Sequence, residues 1–178
     1  MRQFLSLSLL AALALMMVTT ATGGGTQFAT GSAKTDVEAV AGLQHLSFSA
    51  HSYPPGPPGF PPNPCAAQGS IVYDTPTLHM KVDVDQLMID PGSATASIAG
   101  PVAWATDGMG NPILLPNPDA RFDVLDGDQL SSPTDVTPDA FQFDGFFPPS
   151  PCTPPLAVSG PVTSGNIVIK ATGSFVLP

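Results

Sequence analysis

Basic side chains are scarce in this chain: its 178 residues include 5 Lys and Arg against 14 Asp and Glu, for a net charge of -9. Nucleic acids and anionic lipids bind proteins through basic residues that replace their counterions. The charge balance therefore argues against a nucleic-acid partner and against an anionic membrane surface. The same acidity keeps a protein soluble, which is the more general reason for such a composition.

Lysine and glutamate, which long helices usually carry on their wet face, are also rare; Glu38 is the sole glutamate. Proline and glycine are plentiful, with 22 and 17 copies, and both break helices and separate strands. Hydrophobic residues make up 43% of the chain, which is enough for a core. The composition favours an all-β fold, and the length suits one domain.

The N-terminal stretch has the pattern of an export signal. Arg2 precedes an apolar run over residues 4–18, and small residues follow at positions 19–21. This pattern predicts a signal peptide over residues 1–22, a secreted or periplasmic protein, and no membrane insertion after cleavage. An uncleaved anchor is the alternative. The remaining residues, 23–178, are expected to form a single all-β domain, with 23–42 weakly ordered.

Alternating apolar and polar residues recur along the rest of the chain. The clearest run is TLHMKVDVDQLMID (77–90), where Leu78, Met80, Val82 and Val84 share one strand face. Similar runs lie at 44–52, 70–75, 93–106, 121–127, 140–147 and 166–172, with a first strand near 26–30. About eight short strands separated by turn residues predict an antiparallel β-sandwich or a small barrel.

Two near-copies of one hexapeptide, FPPNPC (60–65) and FPPSPC (147–152), end in the two cysteines of the chain. An exported protein meets an oxidising compartment, so Cys65 and Cys152 are predicted to form a disulfide. The chain-entropy model gives about 4.6 kcal/mol for a loop of that length. Two free thiols or a bridge between molecules are the alternatives.

Proline-rich segments surround both cysteines and predict two long, stiff loops, since proline cannot donate to a strand ladder. One interpretation is structural: the disulfide pins the loops, with Phe60 and Phe147 packed beside it. The other is a rigid recognition surface, with Tyr53, Phe60 and Phe147 as contacts to a protein or glycan partner. Trp104 is expected to be core or half-buried, because it follows Val102 at the spacing of one strand face.

An acidic turn brings Asp123, Asp126 and Asp128 close together in sequence. Calcium binds several carboxylate oxygens on a flexible loop, but the spacing is not that of an EF-hand, and solvated turn residues are the simpler interpretation. The three histidines lack the spacing of a zinc site. No metal and no cofactor are predicted.

No nucleophile motif is present, and bridged cysteines leave no thiol for catalysis. The sequence therefore gives no catalytic residue. It predicts a non-enzymatic exported protein that binds a partner or serves at the cell envelope. The alternative function is a secreted hydrolase that uses aspartate carboxylates.

Several short segments together resemble a group of uncharacterised small secreted bacterial all-β proteins. They are the GGG at 23–25, LSFSAHS (46–52), GSIVYDT (69–75), RFDVLDGDQ (121–129) and SGNIVIKATG (164–173). The resemblance spans most of the chain after the predicted signal. It implies export and a compact β-domain, and it carries over no activity and no catalytic residue.

Overall fold

The computed structural model describes residues 26–37, 42–53, 65–116, 118–130, 137–148 and 152–171. These residues form eight strands and one helical turn. The elements are β1 (Gln27–Val37), β2 (Gly42–Ser52), β3 (Ala66–Asp74), β4 (Leu78–Asp90), β5 (Thr95–Asp107), β6 (Asp119–Leu125), α1 (Gly127–Leu130), β7 (Ala140–Phe147) and β8 (Ser164–Ala171). The predicted all-β class is confirmed. The predicted signal peptide lies outside the described residues.

Every strand pair is antiparallel, and β1 to β7 follow one another across the sheet as a meander. The last strand returns to the start of the chain and pairs with β1, giving the order β7-β6-β5-β4-β3-β2-β1-β8. The eight strands form one sheet that curls into a half-barrel. Of the two predicted architectures, the small barrel is therefore closer than the two-layer sandwich.

Strand alternation explains which face of the sheet is buried. In β4, Met80, Val82 and Val84 point into the core while Asp83 and Asp85 are exposed, as the sequence predicted. The parity then changes, and the buried residues that follow are Leu87 and Ile89. The change coincides with shifts in the pairing of β4 with β5. These irregularities bend the strand and let one sheet curl around its own core.

An aromatic cluster fills one part of the core. The rings of Tyr73, Phe122 and Phe143 lie 5.0 to 5.2 Å apart between centroids, and Phe146 packs against Phe143 at 5.2 Å. The Tyr73 hydroxyl donates to Oε1 of Gln44 at 2.8 Å, which satisfies its polar end inside the protein. Burial raises the pKa of Tyr73 to about 12, so this hydroxyl remains a donor at physiological pH.

The barrel has a seam between β7 and β8, which do not pair as strands. Two aspartates close it from the side of β6 and β7. Asp126 accepts a hydrogen bond from the N–H of Ile169 at 2.9 Å, and Asp139 accepts one from the N–H of Ile167 at 2.6 Å. Gln129 on α1 donates to Asp126 and to the carbonyl of Ile169. Just before β8, two backbone hydrogen bonds also close the seam: the Phe141 N–H donates to the Gly160 carbonyl, and the Val162 N–H donates to the Asp139 carbonyl. Along β8 itself, side chains take the place of a backbone ladder.

Two expectations from the sequence need correction. The first strand does not stop near residue 30: it continues to Val37 and lies inside the sheet, between β2 and β8. Its core residues are small, such as Ala29 and Ala33, so its hydrophobic signal is weak. Trp104 is 47% exposed rather than core, because a register shift in the β4–β5 pair places it on the outer face.

The helical turn α1 is the one helix in the described ranges, so no helix there has the length and hydrophobicity needed to cross a membrane.

Candidate binding hollow

The predicted cysteine pair is brought together by the fold. Cys65 directly precedes β3 and is buried, and Cys152 follows β7. Their Cα atoms lie 5.8 Å apart at disulfide distance, although 87 residues separate them in sequence. Within the described residues no cysteine is free. Most of the first proline-rich loop, residues 54–64, lies outside the described residues.

A hollow of about 260 Å³ lies beside this cysteine pair, on the outer face of the sheet. Its floor comes from β4 and β5, where Met88 and Ala99 alternate with core residues and so point away from the core. Ser97 shares that outer face but is only 5% exposed, since the walls of the hollow surround it. The lining is mainly apolar, with Cys65, Met88, Ala99, Ala120, Phe147, Pro148 and Cys152.

The polar part of the lining is small and contains both signs of charge. Gln86, Ser97 and Thr153 contribute neutral groups, while Asp119 and Arg121 come from β6. A mostly apolar concavity with a few convergent polar groups is the usual form of a small-ligand site. We define the binding hollow as this concavity and its lining residues.

The three predicted contact residues have different positions. Phe147 ends β7, is 41% exposed and lines the binding hollow. Tyr53 follows β2 and is 52% exposed, but it is not part of the lining. Phe60 lies outside the described residues. The structure therefore brings Phe147 and the cysteine pair into one site, and it leaves Tyr53 as a separate exposed ring.

One side of the binding hollow rests on a cluster of buried charges. The guanidinium Nη2 of Arg121 donates to Asp123 at 3.0 Å and to the carbonyl of Pro154 at 2.8 Å. Asp123 is fully buried and also accepts the N–H of Leu156 at 2.7 Å. These bonds hold the segment 152–160, which we call the strap, across the outer face of β6 and β7.

A second carboxylate shares the same guanidinium. Oδ2 of Asp144 lies 3.3 Å from Nε of Arg121 but lacks hydrogen-bond geometry, and it has no hydrogen-bond partner within the described part of the chain. Oδ1 of Asp144 accepts a bond from Gln142. Burial raises the pKa of Asp144 to about 6, and the charge of Asp123 adds to the shift while Arg121 opposes it. One guanidinium therefore serves two carboxylates, which leaves an excess of negative charge under the strap.

Asp123 and Asp144 have the chemistry of an acid–base pair, but a substrate has no access to them in the described part of the chain. A catalytic carboxylate must reach the proton it transfers. The side chains of Asp123 and Asp144 are 0% and 5% exposed, with the strap bonded to Asp123. The cluster thus supports the fold on the side of the binding hollow. Among the described residues, neither Asp123 nor Asp144 lines the binding hollow.

The three aspartates of the acidic turn do not lie close together in the fold. Asp123 points outward from β6 to Arg121, Asp126 turns toward β8, and Asp128 is exposed on α1. Across the described ranges, no three His, Cys, Asp or Glu side chains come together as a cation site.

Sequence reasoning missed Met88, Ala99, Asp119, Arg121 and Asp144. Alternation does place Met88 and Ala99 on an outer face, but their meeting depends on the register of β4 against β5. One feature of the sequence did single out Arg121: it is the sole arginine outside the predicted signal peptide.

No protein-family model, curated protein or solved structure matches this chain.

Proposed function

We propose that this chain is an exported, non-enzymatic binding protein and that the binding hollow is its recognition site. The observation that carries the proposal is an apolar-lined concavity on the outer face of a fixed scaffold, with Phe147 partly exposed at its wall. The lining comes from strands held in one sheet and from two cysteines at disulfide distance. Such walls lose little conformational entropy when a ligand orders them.

Export is part of the same proposal. It is supported by the apolar N-terminal run and by a cysteine pair that an oxidising compartment would join. The partner is a protein or glycan that presents one apolar group, because the hollow is smaller than the roughly 300–1,000 Å³ of sites for drug-sized ligands.

The alternative is a hydrolase with aspartate carboxylates, and one observation favours it: the raised pKa of Asp144 beside Asp123. The strap over both groups favours the binding function instead. An Asp144→Asn variant separates the two functions. A hydrolase would lose turnover on a panel of ester and glycoside substrates, while a binding protein would show none before or after the change.

Three methionines remain after the predicted signal, and they provide a direct test. Met88 lines the hollow, Met80 is fully buried in the core, and Met109 is 86% exposed in the β5–β6 turn. With ¹³C-methyl methionine, 2-phenylethanol should shift the Met88 resonance saturably and leave Met80 and Met109 in place.

The matched variants lie on one strand. Ala99→Phe fills the hollow and should abolish the Met88 shift, whereas Ala103→Phe adds the same ring at an exposed position outside the hollow and should preserve it. A Met88 resonance that does not respond, or an equal response in Ala99→Phe, would refute the proposed site.

A further inference from the structure

The lining of the binding hollow also indicates which chemical class it accepts, an inference that rests on the proposed function. The apolar wall and floor offer room for one ring or a short aliphatic chain, given a volume of about 260 Å³. Met88, Ala99 and Phe147 supply most of that surface. An apolar group that enters the hollow is removed from water, and this burial favours binding. It does not by itself distinguish a cation from a neutral molecule or an anion.

The charge preference comes from the polar edge. Asp119 lines the hollow, and among the residues that the structure describes no lysine does. Burial raises the pKa of Asp85, and the charge of Asp119 adds to the shift. Among the described residues neither carboxylate forms an ion pair within 4.0 Å. A cation at this edge would therefore meet Asp119, a carboxylate that lacks a counter-charge.

Arg121 is the one basic residue among the described lining residues, but it offers little to an anion. Its side chain is 12% exposed, and its guanidinium already contacts Asp123, Asp144 and the carbonyl of Pro154. An incoming anion would also meet the excess negative charge that these two carboxylates create. The whole chain, at -9, repels anions at longer range.

We propose that the group which the partner inserts into the binding hollow is cationic: its ring or short aliphatic chain fills the apolar part, and its ammonium group lies against Asp119. The apolar part supplies shape and Asp119 supplies charge selection. A neutral molecule of the same shape binds more weakly, and an anion of that shape binds most weakly.

Three probes of nearly equal shape test the charge preference: 2-phenylethylammonium, 2-phenylethanol and 3-phenylpropionate. Dissociation constants come from the Met88 methyl shift in the mature chain. The cation should bind about three- to fivefold more tightly than the alcohol, the upper range for a partly exposed ion pair, and the carboxylate should bind less tightly than the alcohol.

Asp119→Asn should bring the cation and the alcohol within about twofold of each other. Asp83→Asn removes the same charge from an exposed position outside the hollow, where Asp83 pairs with Lys81 at 3.2 Å. It should preserve the preference. If both variants reduce the preference equally, net charge rather than Asp119 is responsible, and the inference is overturned.

Salt provides a second test that needs no variant. Raising NaCl from about 0.01 M to about 1 M shortens the Debye length from about 30 Å to about 3 Å. The affinity for the cation should then approach that for the alcohol, and a preference that salt does not reduce would contradict pairing with Asp119.

The two proposals fail differently. If all three probes bind alike in the wild type and Ala99→Phe abolishes the binding, the hollow is a recognition site but the selection of cations is refuted. If no probe shifts Met88, both the recognition site and its charge preference are refuted.

Discussion

The carboxylate of Asp126 accepts a hydrogen bond from the backbone N–H of Ile169 at 2.9 Å, across the seam that the strand ladder leaves open. Both residues are buried, at 4% and 2% exposure. The seam is thus closed in part by a hydrogen bond to a carboxylate, a type of bond that is stronger than one between neutral groups. The same bond protects the edge of β8, where free backbone groups would otherwise invite pairing with another chain.

Asp126→Ala should destabilise the fold, because the Ile169 N–H is then buried without its acceptor. The expected loss is about 1–3 kcal/mol in the free energy of unfolding. Urea denaturation followed by circular dichroism would measure it.

Asp128→Ala is the matched control for that change. Asp128 lies two residues away and is exposed, so its removal should alter the free energy of unfolding by less than about 0.5 kcal/mol. Equal losses in the two variants would show that general charge or the α1 turn, and not the bond across the seam, determines the stability.

Asp144→Asn should stabilise the protein at neutral pH and change how stability depends on pH. The folded-state pKa of Asp144, about 6, lies above its ordinary value of 3.8 because of burial and the nearby charge of Asp123. A raised carboxyl pKa favours the folded state fully below 3.8, and this contribution is lost as pH rises through about 6. Asparagine keeps an acceptor for Gln142 and never ionises.

The variant should therefore exceed the wild type by about 1–2 kcal/mol at pH 7.5, because only the wild type carries the unfavourable buried charge there. The difference should shrink toward pH 4. Urea titrations of both proteins at several pH values would measure it, with Asp128→Asn as an exposed control. A difference that stays constant with pH would contradict the assignment of this titration to Asp144.

Loss of the cysteine bridge should lower the stability of the fold. A Cys65→Ser, Cys152→Ser double variant should lose about 2–5 kcal/mol in the free energy of unfolding. Its stability should no longer respond to dithiothreitol, whereas the wild type should weaken to a similar level when reduced. Free thiols in the purified wild-type protein, detected by a thiol reagent under denaturing conditions, would contradict the bridge.

Most of the strands could be predicted because alternation is a local signal, as in β2, where Leu46, Phe48 and Ala50 are all buried. Gly100 marks an irregularity in the sheet: a Cβ at this position would collide with the carbonyl oxygen of Asp83, where the register of β4 and β5 shifts. The sequence did not identify Trp104 as exposed, since one register shift reverses a face.

The seam and the hollow could not be predicted from the sequence, because both are formed by residues that lie far apart along the chain. Asp126 and Ile169 meet across 43 residues, and Arg121 reaches Pro154 across 33. Such contacts depend on how the sheet curls, which no short pattern specifies. The cysteine pair could be predicted, because a chain with two cysteines permits only one intramolecular bridge.

Phe147→Ala and Tyr53→Ala should separate the two exposed rings that the sequence singled out. Phe147 lines the hollow, so its removal should weaken the binding of 2-phenylethanol at least threefold, because part of the apolar contact surface is lost. Tyr53 is exposed outside the lining, and its removal should leave that affinity unchanged. Both rings are partly exposed, so the melting temperature of each variant should fall by only a few degrees. Met88 methyl shifts and thermal unfolding measure the two effects.

If Tyr53→Ala weakens the binding of 2-phenylethanol as much as Phe147→Ala does, the recognition surface extends beyond the hollow. If Phe147→Ala unfolds the protein, that ring belongs to the core and its role as a contact residue is refuted.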